Sequence, residues 1–327
     1  MDGTESAVQD LMYVDFSVDA GAMPYVDAAA TVARSIDVQS PQNLPPAALH
    51  QASTRVGELG LSELIVELDT EMEALPLLFH MARVLAHGNV EATWRSLADI
   101  PALMLGFGDS FQRLAFPAHD DSRQWMLWLP DAAVLPALRV GLLQASTIAH
   151  LHCETVGPAH RQGLLGFREG AVLCLNAALQ DESALTAITP ELRDRYLHAE
   201  QVLLVGMIVG VCWRMSEDAH AYAKERVSAG KPIAQHQAVA LRLGDIALDY
   251  QALSLYCTAQ VGSDGQNSAL VSHYVETTAF RIARDCVQIA AAHGYVEGLP
   301  FKRHYEQVRT LLSALVSLPL PSSTRYD

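Results

Sequence analysis

Apolar residues recur every three or four positions along most of this chain, the period of a helix with one buried face. The Pro45-Pro46 pair opens a helix running towards Leu59, with Gly60 as its stop. Glu71 to His87 carries Leu75, Leu78, Met81 and Leu85 as an amphipathic stripe ending at Gly88, and Trp94 to Phe111 continues in the same manner. The texture then changes. Trp125 to Leu129, Leu138 to Leu143 and Ala171 to Leu175 are short apolar runs bounded by Asp, Pro, Gly and Ser, which predict strands. Helices return from 189. Pro190-Glu191 opens a segment to Val227, and Ile233 to Gln260 sets Val239, Leu243, Ile246, Tyr250 and Leu253 on one seam. Asn267 to Ala292 forms a third helix, with Gly294 as its left-handed stop. A fourth runs from Pro300 to Ser317, where Pro319 and Pro321 end it. The expected fold is mostly α with a small β domain: an N-terminal helical domain over 1–115, a short middle β domain over 116–188 and a C-terminal four-helix bundle over 189–327.

Composition narrows the class. With 50% hydrophobic and 18% charged residues the chain supports a sizeable core and is not disordered. Its 37 acidic and 22 basic residues leave a net charge of −15, which argues against nucleic acid as a partner. Five widely spaced cysteines in apolar surroundings read as reduced, and the N-terminus lacks the basic and apolar regions of a signal peptide, so the expected location is cytoplasmic. Val202 to Trp213 has no charge yet is too short to span a bilayer, so a buried core helix is expected and no membrane. His150, His152 and Cys153 fit no closed zinc spacing, and no metal is assigned. The Gly106-Phe107-Gly108 pair lacks the third glycine and the preceding strand of a dinucleotide loop.

The most informative stretch is Arg226-Val-Ser-Ala-Gly-Lys-Pro-Ile-Ala-Gln-His-Gln237, between two long apolar-periodic segments. Gly230 and Pro232 mark a turn, and the arginine and glutamines gather hydrogen-bond donors at one exposed corner. Such a corner suits an anionic ligand. A solvated helix-helix turn is the alternative.

The order of the three parts, with Arg226-Val-Ser228-Ala229-Gly230 followed by Gln237, and Gln288-Ile-Ala-Ala291-Ala292-His293-Gly294-Tyr295 followed by Pro300, resembles the acyl-CoA dehydrogenase family. The match is most specific over 189–310 and rests on order and texture before that. The resemblance implies α,β-dehydrogenation of an acyl-CoA thioester, with FAD as cofactor and electron-transfer flavoprotein or a similar acceptor as redox partner. It further implies that Arg226, Ser228, Gln237 and Gln288 contact the pyrophosphate and adenosine end of FAD held mainly by a neighbouring subunit, with Gly294 supporting the turn beside them.

Counting from Pro300, the position of the carboxylate base that many members carry falls at Leu315, and the preceding Arg-Asp pair of the family is Glu306-Gln307 here. Leucine cannot abstract a proton. Other members carry the base on the first helix of the bundle, which corresponds to Glu200, a charge entering an apolar run. Burial there would raise its proton affinity towards that of a usable base. The alternative is a first-turn carboxylate favoured by the helix dipole. Twenty-six residues of helix span about 39 Å, so Glu200 and Arg226 cannot serve one compact site as neighbours, and the resemblance implies that the arginine reaches a different subunit's cofactor from the one beside its own base. The family's Phe-Gly is Ala229-Gly230, its Gly-Gly is Ala291-Ala292, and the middle segment has no match to the Trp-Ile-Thr pattern that holds the flavin ring. Together these departures resemble one subunit of the heteromeric, α2β2 acyl-CoA dehydrogenases that act on steroid-derived thioesters, working with a homologous partner subunit. The alternative is a non-catalytic subunit that stabilises its partner and contributes only FAD contacts.

Overall fold

A computed structural model describes residues 23–36, 46–68, 71–107, 113–117, 124–131, 139–143, 147–152, 160–176, 185–261, 268–296 and 298–319. Among these residues five helices come before the sheet: α1 Met23–Ile36, α2 Pro46–Gly57, α3 Leu61–Glu67, α4 Glu71–Leu97 and α5 Ile100–Met104. Helix α4 breaks at Asn89 (φ −158°, ψ 100°), beside the glycine expected to stop it, and the Asn89 side chain restarts the helix by accepting from the Ala92 N–H at 3.1 Å. Gly88 is required for another reason as well. A Cβ there would lie 2.4 Å from the Ala33 carbonyl oxygen, so α1 crosses directly over it.

Seven strands follow: β1 Arg113–Pro117, β2 Gln124–Leu129, β3 Arg139–Leu143, β4 Thr147–His152, β5 His160–Gly163, β6 Ala171–Asn176 and β7 Leu185–Ala187. They form one sheet in the order β5-β6-β2-β1-β3-β4-β7. The three expected runs are β2, β3 and β6, and β1 straddles the border drawn at 116. Strand β1 joins the two halves: Arg113–Ala115 pair parallel with β3, and Phe116–Pro117 pair antiparallel with β2. Alternation sorts the faces. Trp125, Leu127, Leu129, Leu173 and Leu175 fill the core of the sheet, whereas Trp128 and Val172 turn towards the helices.

The C-terminal bundle consists of α6 Pro190–Glu225, α7 Gln237–Val261, α8 Ser268–Ala290 and α9 Phe301–Val316, with a two-stranded hairpin (β8 Val227–Ser228, β9 Lys231–Pro232) between α6 and α7. Helix α6 is long and apolar enough to cross a bilayer by length and composition, but 89% of its apolar window is buried inside the protein. It is the central helix. Cβ atoms on Gly206 and Gly210 would lie 2.7 Å from the Phe79 carbonyl and 2.2 Å from the Arg83 carbonyl, so α4 lies backbone-to-backbone in a groove made by these two glycines. One apolar core therefore runs through both the N-terminal helices and the bundle.

Candidate functional site

Helix α6 starts at Pro190, where the Thr189 hydroxyl caps it by accepting from the Leu192 N–H at 3.2 Å. Glu200 lies well inside that helix, so the first-turn reading of this carboxylate does not hold. It is buried at 9% exposure, at the junction of three parts of the chain. Tyr196, one turn earlier, packs with Phe107, Leu114, Phe116 and Ile148. Arg113, at the start of β1, donates to the Ala98 carbonyl at 2.5 Å and pairs with Asp99 at 3.2 Å. Burial pushes the Glu200 carboxyl up to about 7; the Asp99 charge adds to this, while Arg113 and a hydrogen bond from Tyr196 pull it back. Its Oε2 has no hydrogen-bond partner among the described residues. A carboxylate so placed is a proton acceptor near neutral pH.

The second site is at the far end of α6. Arg226 caps the helix, and the hairpin that follows turns through Ala229 (φ 50°) and Gly230 (φ 78°), both left-handed as a two-residue turn of this kind requires. The backbone is pinned: Ile233 N–H donates to the Arg226 carbonyl at 2.7 Å, and His236 Nε2 donates to the Ser228 carbonyl at 3.1 Å. Arg226, Ser228 and Gln237 are nevertheless exposed. Gln288, on the last turn of α8, is also exposed and donates to the Tyr295 hydroxyl at 2.5 Å. The bond between the Tyr222 hydroxyl and His293 Nδ1 at 2.8 Å ties the end of α6 to the turn after α8. The four donors thus share one end of the bundle, and Glu200 is not among them. Gly294 differs from its expected role as a left-handed stop. Ala291 takes that conformation (φ 51°), while Gly294 is buried because a Cβ would lie 2.5 Å from the Val287 carbonyl. Its absent side chain lets the turn close against α8.

This end fits the polar half of a dinucleotide cofactor. A fixed backbone presents Arg226, Ser228 and Gln237 outward, and the Arg226 guanidinium makes no hydrogen bond among the described residues. Leu315 is buried in the core of α9, which continues through it as helix, so no carboxylate faces a site from that position. In the Glu306-Gln307 pair, Gln307 donates to the Gly166 carbonyl at 3.0 Å and holds a loop of the sheet domain. His150 and His152 lie on β4, Cys153 lies outside the described residues, and no group of three metal-ligating side chains occurs among the described residues. Sequence reading missed Asp99, Arg113 and Tyr196. The only local signal was an arginine at the head of an apolar run, and nothing in it names Glu200 as its neighbour.

The acyl-CoA dehydrogenase C-terminal domain family matches residues 193–313. The chain is 24% identical over 166 residues to a 3-(aryl)acrylate reductase of Clostridium sporogenes, a match covering 47% of this chain and 43% of that one. The match thus spans less than half of that relative's length. Among solved structures, a chain from work on the electron transferring flavoprotein of Acidaminococcus fermentans superposes with TM-score 0.69 at 12% identity, covering 96% of this chain and 100% of the other. A chain of the ChsE4-ChsE5 complex from Mycobacterium tuberculosis gives TM-score 0.67 at 14% identity, covering 93% and 95%. Residues 193–313 therefore match the acyl-CoA dehydrogenase C-terminal domain family, and the chain that carries them has the fold of the acyl-CoA dehydrogenases.

Proposed function

We propose that this chain is a subunit of an FAD-dependent acyl-CoA dehydrogenase, removing hydrogen from Cα and Cβ of an acyl-CoA thioester, with a bulky steroid-derived acyl group as the favoured substrate. The observation that carries this reading is Glu200: a buried carboxylate with one unbonded oxygen and a proton affinity lifted to about 7. The α proton of a thioester moves to Oε2, and burial favours the neutral acid that results. Arg113 and Tyr196 hold back the rise enough that a substantial fraction is ionised near neutral pH. FAD, when bound, supplies the acceptor for the β hydride. Arg226, Ser228, Gln237 and Gln288 would hold its pyrophosphate and adenosine end from across a subunit interface, since Glu200 and Arg226 are separated by about 39 Å of helix. The neighbouring ChsE4-ChsE5 complex supports a homologous partner subunit, and the electron transferring flavoprotein work and the caffeyl-CoA reductase-Etf complex subunit among the similar proteins support electron-transfer flavoprotein as the kind of acceptor.

Substituting Glu200→Gln keeps the shape and removes the base. Turnover of the complex with its partner falls by about 10²–10⁴-fold, the share that general-base catalysis contributes. In the parent complex kcat/KM rises with pH through about 7, because only the carboxylate accepts a proton. Unchanged turnover in the variant would leave this chain as a stabilising subunit alone. Co-expression with the homologous partner yields yellow protein, and expression alone yields little flavin. A chain that purifies alone with a full complement of FAD removes the shared-site reading.

A further inference from the structure

Tyr196 and Glu200 stand four residues apart on α6, so their side chains lie on one face of the helix. Both are buried, at 1% and 9% exposure, and the phenol cannot turn its hydroxyl out to water. Its ring packs among Phe107, Leu114, Phe116 and Ile148, which hold it against strands β1 and β4. A buried hydroxyl needs partners, and this one has two of opposite kind. It accepts from the Leu114 N–H and donates to the Glu200 carboxylate. Over Arg113–Ala115 strand β1 pairs with β3, and its pairs with β2 are at Phe116 and Pro117, which leaves the other edge at Leu114 open to the phenol. The hydroxyl thus ties α6 to the sheet.

The charged neighbours meet Glu200 differently. Arg113 directs its donors to the Ala98 carbonyl and to Asp99, and among the described residues these two charges act on Glu200 through their field, without a hydrogen bond to it. Since Oε2 is without a hydrogen-bond partner, the bond from Tyr196 falls on Oε1. A glutamate side chain turns about several bonds, and a carboxylate that must meet a carbon-bound proton gains from being held in one orientation. We infer that Tyr196 is a positioning residue for Glu200: its hydroxyl, anchored to β1, fixes Oε1 and leaves Oε2 as the oxygen that accepts the proton. This role rests on Glu200 being the base of the proposed dehydrogenation. Tyr196 gives up no proton in the step. The same bond favours the charged form of Glu200, so orientation and readiness to accept a proton are lost together when it is broken.

Tyr196→Phe removes one oxygen and keeps the ring, the smallest change that breaks the bond. Its first readout needs no turnover. Infrared spectra of the full 327-residue chain at low minus high pH, with the Glu200→Gln chain as blank, titrate the Glu200 carboxyl directly. In Tyr196→Phe the midpoint moves up by about one to two pH units, the loss of a hydrogen bond to a charged group, and the carboxyl C=O stretch moves to higher frequency. The second readout is the complex with its partner. The low-pH limb of kcat/KM moves up by the same amount, and kcat on the high-pH plateau falls about ten-fold while KM holds. A 3-fluorotyrosine installed at 196 alone is a stronger donor and moves midpoint and limb down, which carries the test even where Tyr196→Phe does not fold. A merely structural tyrosine would lower stability and leave midpoint, stretch and limb in place, and that result overturns the positioning role. A midpoint that moves while the limb stays put also overturns it, by showing that Glu200 is bonded to Tyr196 but is not the base.

Discussion

At the scale of single residues, Glu200 shows how function is set against stability. Its carboxyl binds protons more tightly folded, at about 7, than at the ordinary value of 4.5. Between those two pH values the folded state holds the extra proton, so stability falls as pH rises through the window and the full penalty is present above it. The penalty is about 3 kcal/mol. Urea unfolding of the Glu200→Gln variant at pH 8 therefore gives a midpoint above the parent's, and the difference shrinks to nothing as pH falls below 4.5. A variant less stable at both pH values contradicts this account of the site. Ala229 is the second case. Held at φ 50°, it carries the left-handed cost that glycine avoids. Ala229→Gly is expected to stabilise by roughly 0.5–1 kcal/mol, net of the entropy glycine loses on folding, read from the denaturation midpoint.

At the scale of elements, the crossing of α4 and α6 organises the helical core. Gly206 and Gly210 stand four apart, one turn along α6, and each meets a carbonyl of α4. Gly210→Ala must push α4 away, since its Cβ would sit 2.2 Å from the Arg83 oxygen. Overpacking of this kind costs about 1–3 kcal/mol, and at a backbone contact the upper end is expected, seen as a lowered Tm. The gain in helix propensity from alanine, about 1 kcal/mol, does not compensate. A Gly210→Ala chain as stable as the parent would show that the two helices have room to separate.

At the scale of the whole molecule, one loop fastens the sheet to both groups of helices. Buried Glu91 on α4 accepts from the N–H groups of Arg168 and Glu169 at 2.8 and 3.3 Å and pairs with Arg303 on α9 at 2.8 Å. Arg303 and Gln307 also donate to the Gly166 carbonyl, and Thr310 to that of Leu165. Burial raises the Glu91 carboxyl, against the opposing pull of Arg303 and the two backbone donors. Glu91→Ala removes the carboxylate partner of Arg303 and the acceptor of the Arg168 and Glu169 N–H groups, a loss of roughly 1–3 kcal/mol. Limited proteolysis then cuts first within 164–170, and cleavage elsewhere first would place the weak point in another part of the fold.

The sequence by itself determined the helices of the bundle, three of the strands and the donor-rich turn at Arg226. Each is a local property: periodicity belongs to one segment, and Arg226, Ser228 and Gln237 are near neighbours in the chain. Glu200 could be named from its position in a family pattern, but its proton affinity could not. That depends on the dielectric and the charges within a few ångströms, and these come from Asp99 and Arg113 in segments far upstream, packed against α6 only when the chain folds. The same holds for Gly206, Gly210 and Gly294, whose missing side chains matter because of a backbone that only tertiary packing brings near. A residue's type is written in the chain; its electric field and its free volume are properties of the fold.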